Sequence, residues 1–335
     1  MSALARVGPL REWCPGLALL VVGAVLPALV SSEYVLLGAS MIVTMLVGVS
    51  FNLLFGYAGM FSFGQSAFYG VGAYGTVLLM NEAGVSFYLA LLAAIVAAVL
   101  VAGASGTMLV RIEPIAFIML TFALADLFEF SAAHARGLTG GDSGTIANLP
   151  QSLNVIVNVN GVYYAMLAVA AVVVVAAYAF VRSSAGLVLR GIREDSLRAA
   201  TLGVAVSCRR LGVFALSAGV AAAGGGLSVL SAQIVYPSVF AWQISASALI
   251  VTLLGGVGVF SGPIIGAVLL GLIDFYVGRL TTNTLLIDGA VLLAVVLIAP
   301  RGVLASGRGS IWMAAKDLAR WMRSAAWGAR AGAPG

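Results

Sequence analysis

Apolar residues in this chain fall into runs of about twenty, bounded by charges, prolines and glycine clusters, and that spacing predicts membrane-crossing helices. The runs lie at 16–31, 34–55, 65–80, 86–109, 114–131, 161–182, 210–231, 244–258, 263–279 and 284–299. Several, including 65–80 and 244–258, are short or interrupted by glycine, so one or more half-helices are expected among them. Two connections are long. Residues 132–160 are rich in Gly, Asn, Ser and Thr, and 183–209 are rich in arginine. Residues 311–327 place Ile311, Ala314, Ala315, Leu318, Met322 and Ala325 on one helical face and Lys316, Arg320 and Arg323 on the other, with Trp312 and Trp321 at the borders. That pattern predicts a helix lying in the membrane interface.

Composition removes the soluble alternative. Of 335 residues, 62% are hydrophobic and 9% charged, against roughly 25% charged in an ordinary soluble domain. The fold class expected is an all-α polytopic membrane protein of about ten transmembrane helices with inverted repeats and some short or broken helices. The net charge is +5, and its placement matters more than its size. With the N-terminus cytoplasmic, all basic residues except Arg136 and Arg279 fall inside, which satisfies the positive-inside rule with both termini cytoplasmic. Loop 132–160 is then external and 183–209 internal. Cys14 and Cys208 both fall on the reducing side, so no structural disulfide is expected. Residues 6–32 have a signal-like pattern, read as uncleaved because a second apolar run follows almost at once. The organisation expected is one permease domain over 1–303 and a basic amphipathic tail over 304–335.

Catalytic chemistry is sparse. The only histidine, His134, has no second histidine or cysteine at ligand spacing, so no metal site or cofactor is expected. Gly140, Gly141 and Gly144 surround Asp142 without the Lys-Ser/Thr of a phosphate-binding loop. Ionisable groups within spans carry more weight, because a charge in hydrocarbon costs several kcal/mol unless it is paired or wet. Asp126 and Glu129 share one face of 114–131, and Asp274 lies in 263–279. Pathway lining and structural pairing are equally open for Asp126; Glu129 reads as a solvated rim residue. Glycine numbers 41. The stretch from Asn52 through Gly56, Gly59, Ser62, Gly64 and Gln65 to Tyr74 mixes glycines with small polar residues at a span boundary. Gly255, Gly256, Gly258, Gly262, Pro263 and Gly266 form a later set. Either close helix packing or a broken helix beside a cavity accounts for such sets. Asn52, Gly56, Gly59, Ser62, Gly64, Gln65, Thr121, Asp126, Gly255 and Gly256 are the candidate pathway residues.

The run Asn52–Tyr74 resembles the signature of permeases that import branched-chain amino acids through ATP-binding-cassette transporters, the LivHM family. Further blocks resemble it in the same order: Leu138-Thr139-Gly140-Gly141 with Gly144; Gly186–Arg190, Ile192-Arg193-Glu194-Asp195, Ala199-Ala200 and Leu202-Gly203; then Leu254-Gly255-Gly256, Gly262-Pro263 and Pro300-Arg301-Gly302. The Ile-Arg-Glu-Asp block and the Thr-Gly-Gly turn look like the LivM-type subunit. The resemblance implies a type II importer-like fold and a heterodimer with a second, similar permease. It also implies two cytoplasmic ATP-binding subunits and an extracytoplasmic binding protein in a bacterial inner membrane. By the same resemblance, Arg190, Arg193, Glu194, Asp195, Ala199, Ala200 and Gly203 are candidate coupling residues, and Thr139, Gly140 and Gly141 are candidate outer-loop residues. The Ala-Ala to Gly spacing is one residue tighter than the usual docking motif, and Glu129 stands where the family often has a basic residue.

The resemblance further implies that separate subunits hydrolyse ATP, which would make this chain a transport subunit and not an enzyme. Similar permeases carry urea, amides or other amino acids, and the binding protein is expected to set most of the selectivity. An ion-coupled carrier using Asp126 and Asp274 is the rival reading, with a membrane-embedded enzyme third.

Overall fold

The computed structural model describes residues 31–278 and the isolated positions 23, 27, 289 and 293. The first and tenth predicted spans, Cys14 and the amphipathic tail lie outside the continuous described range. Helix α1 (Ser32–Phe51) carries Glu33 in its first turn, where a carboxylate suits the helix dipole, and it runs on as a π-helical turn (Asn52–Ala58) that stops at Gly59. After a helix-free stretch come α2 (Gln65–Ala83), α3 (Phe87–Leu109) and α4 (Pro114–His134), the last opened by a proline in its first turn. The loop that follows holds the short α5 (Arg136–Thr139) and β1 (Thr145–Ile146). Asn158 caps α6 (Val159–Arg182), its side chain accepting from the Gly161 N–H at 2.9 Å. The short α7 (Ser184–Glu194) and α8 (Ser196–Thr201) lead into α9 (Val206–Ala232). The chain finishes with β2 (Ile234–Val235), a 3₁₀ turn (Pro237–Phe240), α10 (Trp242–Gly255) and α11 (Gly262–Gly278).

The helices are sorted by what surrounds them. Helices α1 and α9 form the centre, antiparallel, with Ser50 beside Ser217 and Leu46 beside Gly224. In α9, 83% of the most apolar stretch is buried, whereas in α4 the share is 22%. The exposed flanks of α3, α4 and α6 carry Leu100, Met108, Ile115, Met119, Phe130 and Val172, a surface that only lipid or another apolar partner covers without cost. Among the described residues, five helices are long and apolar enough to cross a membrane, counting α1 with its π turn. Helix α10 is shorter, its 14 residues reaching about 21 Å at 1.5 Å per residue against a hydrocarbon core of about 30 Å.

One glycine-interrupted run is not interrupted. Helix α2 passes unbroken through Gly70, Gly72 and Gly75, and the reason is contact. A Cβ on Gly72 would collide with the Ala222 backbone of α9, and one on Gly70 with the ring of Phe240. On α9, Gly225 is equally pressed against the backbone at Tyr69 and Ala73. Small residues therefore let α2 and α9 touch backbone to backbone, as in membrane helix pairs generally. The Phe240 ring fills the space over Gly70 and stacks between Tyr74 and Phe128, with centroids 5.6 and 5.8 Å away. The later glycine set packs α10 on α11 in the same way, Gly255 against Gly262 and Gly266 against Val251.

Gly72→Leu should separate α2 from α9 and cost at least the roughly 1–3 kcal/mol of an overpacked core, seen as a lowered Tm in detergent. Gly103→Ala, on an α3 position with nothing within 4 Å of the added methyl, should leave Tm unchanged or raise it slightly.

Candidate functional site

Breaking a helix frees backbone N–H and C=O groups, and inside an apolar bundle each needs a partner. The chain breaks over 59–64, between the π turn and α2, and again between α10 and α11. At the first break small side chains supply the partners. The Thr121 hydroxyl accepts from the Phe63 N–H at 3.3 Å, and the Ser62 hydroxyl from the Gly64 N–H at 3.1 Å. Ser245 of α10 donates to the Phe63 carbonyl at 2.6 Å and accepts from the Ser66 N–H at 3.0 Å. Deeper in the bundle Ser50, Gln65 and Ser217 form a closed cluster. Ser50 Oγ lies 2.5 Å from Gln65 Oε1, Gln65 Nε2 donates to Ser217 Oγ at 3.2 Å, and Ser217 Oγ donates to the Ser50 carbonyl at 2.8 Å. Thr252 adds a bond from α10 to the Gly48 carbonyl at 3.1 Å. Ser62, Gln65 and Thr121, expected to line a pathway, are thus buried in a continuous polar seam where α1, α2, α4, α9 and α10 meet. Sequence reasoning missed Ser50, Ser217, Ser245 and Thr252; their signal is a hydroxyl recurring within otherwise apolar runs.

The two breaks are joined to each other. Asn52 donates from Nδ2 to the Val259 carbonyl at 3.0 Å and accepts at Oδ1 from the Gly258 N–H at 2.9 Å, so one amide clamps the α10–α11 turn to the π turn. Gly56 lies beneath this clamp, where a Cβ would strike both Asn52 and Gly258. Gly255 and Gly256 end α10 at the same place, with the Gly256 N–H bonded to the Thr252 carbonyl at 2.9 Å.

Helix α7 lies against this junction. Leu189 and Ile192 are buried, the Arg190 guanidinium sits over the Tyr57 ring with its carbon 5.1 Å from the centroid, and Arg193 Nη1 donates to the Gly56 carbonyl. Asp195 caps α8, its Oδ1 accepting from the Arg198 N–H at 2.9 Å, while its other oxygen lies 3.4 Å from Arg198 Nε in an exposed ion pair of little energetic weight. Gly203 ends α8, its N–H bonded to the Ala200 carbonyl at 3.0 Å. Glu194 and Ala200 are exposed and Ala199 half-buried. Facing outward from the same segment are Leu187, Leu197 and Leu202, exposed by 71%, 77% and 79%.

At the opposite end Thr139 organises the long loop. Its hydroxyl lies 2.5 Å from the Ala132 carbonyl and 2.9 Å from that of Ala135, and its own carbonyl accepts from the Thr145 hydroxyl at 2.6 Å. Gly140 and Gly141 turn the chain so that Thr145 and Ile146 pair antiparallel with Val235 and Ile234. Asn81, near the end of α2, holds the Ile146 carbonyl and the Asn148 N–H at 2.8 and 3.0 Å. His134 rests beside Phe130, with Nδ1 2.9 Å from the Phe130 carbonyl. Among the described residues no group of His, Cys, Asp or Glu is placed to hold a metal.

The carboxylates are separate from this seam. Asp126 is exposed on α4, about 3 Å along the axis from the helix midpoint, and Glu129 is half-buried one turn on. Neither has a hydrogen-bond or ion-pair partner among the described residues. Asp274 lies on α11, which packs against α1 and α10.

Apolar helices exposed outward and broken segments satisfied internally are the marks of an integral membrane protein. The chain belongs to the family described as the permease component of branched-chain amino acid transport systems, whose match covers residues 16–300. Among its relatives is the "High-affinity branched-chain amino acid transport system permease protein LivM" of Salmonella typhimurium, 25% identical over 86% of this chain and 74% of the relative. The protein of the same description from Escherichia coli K12 is also 25% identical, over 86% of this chain and 73% of the relative. No solved structure matches the chain. The LivM-type resemblance seen in Ile192–Asp195 and Thr139–Gly141 agrees with these relatives.

Ser217→Ala should strip a partner from both Gln65 and the Ser50 carbonyl. A buried polar group left unpaired costs roughly 1–3 kcal/mol, so Tm should fall by a few degrees. Combining it with Gln65→Ala should lower Tm by less than the two single changes added together.

Proposed function

We propose that this chain is one of two permease subunits of an ATP-binding-cassette importer in a bacterial inner membrane. Its termini are cytoplasmic, and it forms half of the path for branched-chain amino acids delivered by an extracytoplasmic binding protein. The observation that carries this reading is the family match over residues 16–300. The ten-span, type II importer-like arrangement extends it to the segments outside the described residues.

The geometry supports a division of labour. Leu187, Leu197 and Leu202 are exposed apolar side chains on a segment that also exposes Glu194, Arg198 and Ala200; this segment is the docking face for an ATP-binding subunit. Burying a leucine there stabilises the complex by about 1.5–3 kcal/mol, and a charged rim around an apolar centre is ordinary interface anatomy. On the far side the loop built on Thr139, Gly140 and Gly141 meets the binding protein. Asp126 lies near the midpoint of the least buried spanning helix, where a carboxylate facing lipid would cost several kcal/mol. That cost supports a wet path along α4, and a carboxylate there suits the ammonium group of a zwitterionic amino acid. Asp126 stands five residues, about 140° of helix, from Thr121, so the seam through Ser62, Gly64, Gln65 and Thr121 is a second polar element on another face of α4.

Affinity purification of the tagged chain from its native membrane in mild detergent should recover two ATP-binding subunits and a second, similar permease. Recovery of the chain alone, under conditions that preserve a known importer, would favour a carrier driven by an ion gradient. Asp126→Asn should slow uptake about tenfold, equivalent to about 1.4 kcal/mol of barrier, with complex recovery unchanged; an unchanged rate would remove Asp126 from the path. Leu197→Glu should abolish co-purification of the ATP-binding subunits while membrane insertion persists, checked by immunoblot of the membrane fraction.

A further inference from the structure

We propose that Arg193 is a positioning residue that couples α7 to both helix breaks at once, with Asn52 as the second half of the joint. Displacement of α7 then moves the end of α1 and the α10–α11 turn as one body. The proposal rests on the importer reading above.

Three glycines outline the path of the Arg193 side chain. A Cβ on Gly59 would lie 3.0 Å from Arg193 Cγ, so the aliphatic stem crosses the end of the π turn. The guanidinium donates to the Gly56 carbonyl. A Cβ on Gly258 would lie 3.0 Å from Arg193 Nη1. Gly59 and Gly258 have φ of 70° and 78°, so a side chain at either would meet both backbone strain and this arginine. Glycines from the two broken segments therefore converge on one side chain borne by the arginine-rich helix. Asn52 completes the connection by clamping the Gly258 N–H and the Val259 carbonyl.

The chemistry of the bond suits a moving joint. The Gly56 carbonyl is among the last in its helix and has no helical N–H to accept from, so it needs an external donor. Arg193 supplies one and has no carboxylate partner among the described residues, and it remains exposed along part of its length. When the joint opens, the cation returns to water and no buried anion is stranded, which an arginine–carboxylate pair in the same place would not permit. Arg190 on Tyr57, one turn earlier, keeps α7 seated while Arg193 shifts. Arg193 thus works inward on the permease, while the leucines of α7 and α8 work outward.

The test uses the complete complex in proteoliposomes with its binding protein, reading ATP hydrolysed per substrate imported. Arg193→Gln and Asn52→Ala should each leave the complex assembled and hydrolysing ATP, yet raise the ATP cost per substrate at least about fivefold, the low end of ordinary coupling energies. The double variant should be no worse than the poorer single one, because both act through one joint. Arg193→Lys, which still donates to a carbonyl, should recover part of the coupling. Uptake and hydrolysis falling in proportion, with the ratio unchanged, would overturn the proposal. So would loss of the ATP-binding subunits from purified Arg193→Gln complex, since that would make Arg193 a docking residue. Absence of ATP-dependent uptake by the unaltered complex would instead defeat the importer reading itself.

Discussion

An interrupted helix in an apolar bundle has no water to satisfy its backbone, and this chain meets that constraint with a small set of internal donors and acceptors. Asn52, Ser62, Thr121, Arg193 and Ser245 bind backbone groups at or beside the breaks, while Ser50, Gln65 and Ser217 tie the neighbouring helices. The consequence is a bundle whose centre is polar at a few points and otherwise close-packed. Asn52, Ser62, Gln65 and Ser245 lie at or near helix ends, and Ser217 and Thr121 reach toward them from within α9 and α4, so the sites that hold the fold together are also the sites at which its parts meet.

Glycine has two separable roles here. In α2 and α9, Gly72 and Gly225 bring backbones together and leave both helices unbroken. At Gly59 and Gly258 the backbone turns into the left-handed region and makes room for an arginine. The first role fixes helix spacing; the second creates a joint. In sequence the two sets look alike, because each is a glycine cluster flanked by apolar residues.

That likeness marks the limit of what could be read before the structure. Helices such as α3 and α4 were legible to within a few residues, since runs 86–109 and 114–131 are bounded by charge or proline and their apolar content is continuous. The start of α8 carries a local signal of its own, the aspartate at 195 that caps it. The glycines at 70 and 72 fit either a break or a packing surface in sequence and are the latter, a difference settled only by Phe240 and Ala222, more than a hundred residues further along the chain. Arg193 stood in an arginine-rich block as a candidate for coupling to an ATP-binding subunit, with nothing to show that it faces inward. Its inward contact depends on a carbonyl 137 positions earlier that only the π turn exposes. Ser50 and Ser217 gave almost no signal, since a lone serine in an apolar helix can bond to its own backbone.

The two-residue β ladder between Thr145–Ile146 and Ile234–Val235 has a mechanical meaning beyond its size. Val235 and Phe240 are separated by one short turn, and Phe240 is held between two aromatic rings over Gly70. The long loop and the aromatic wedge therefore share a tether too short to absorb slack. Along that line four residues, 236–239, join the outer surface of this protein to its packed interior through the chain itself and not only through contact.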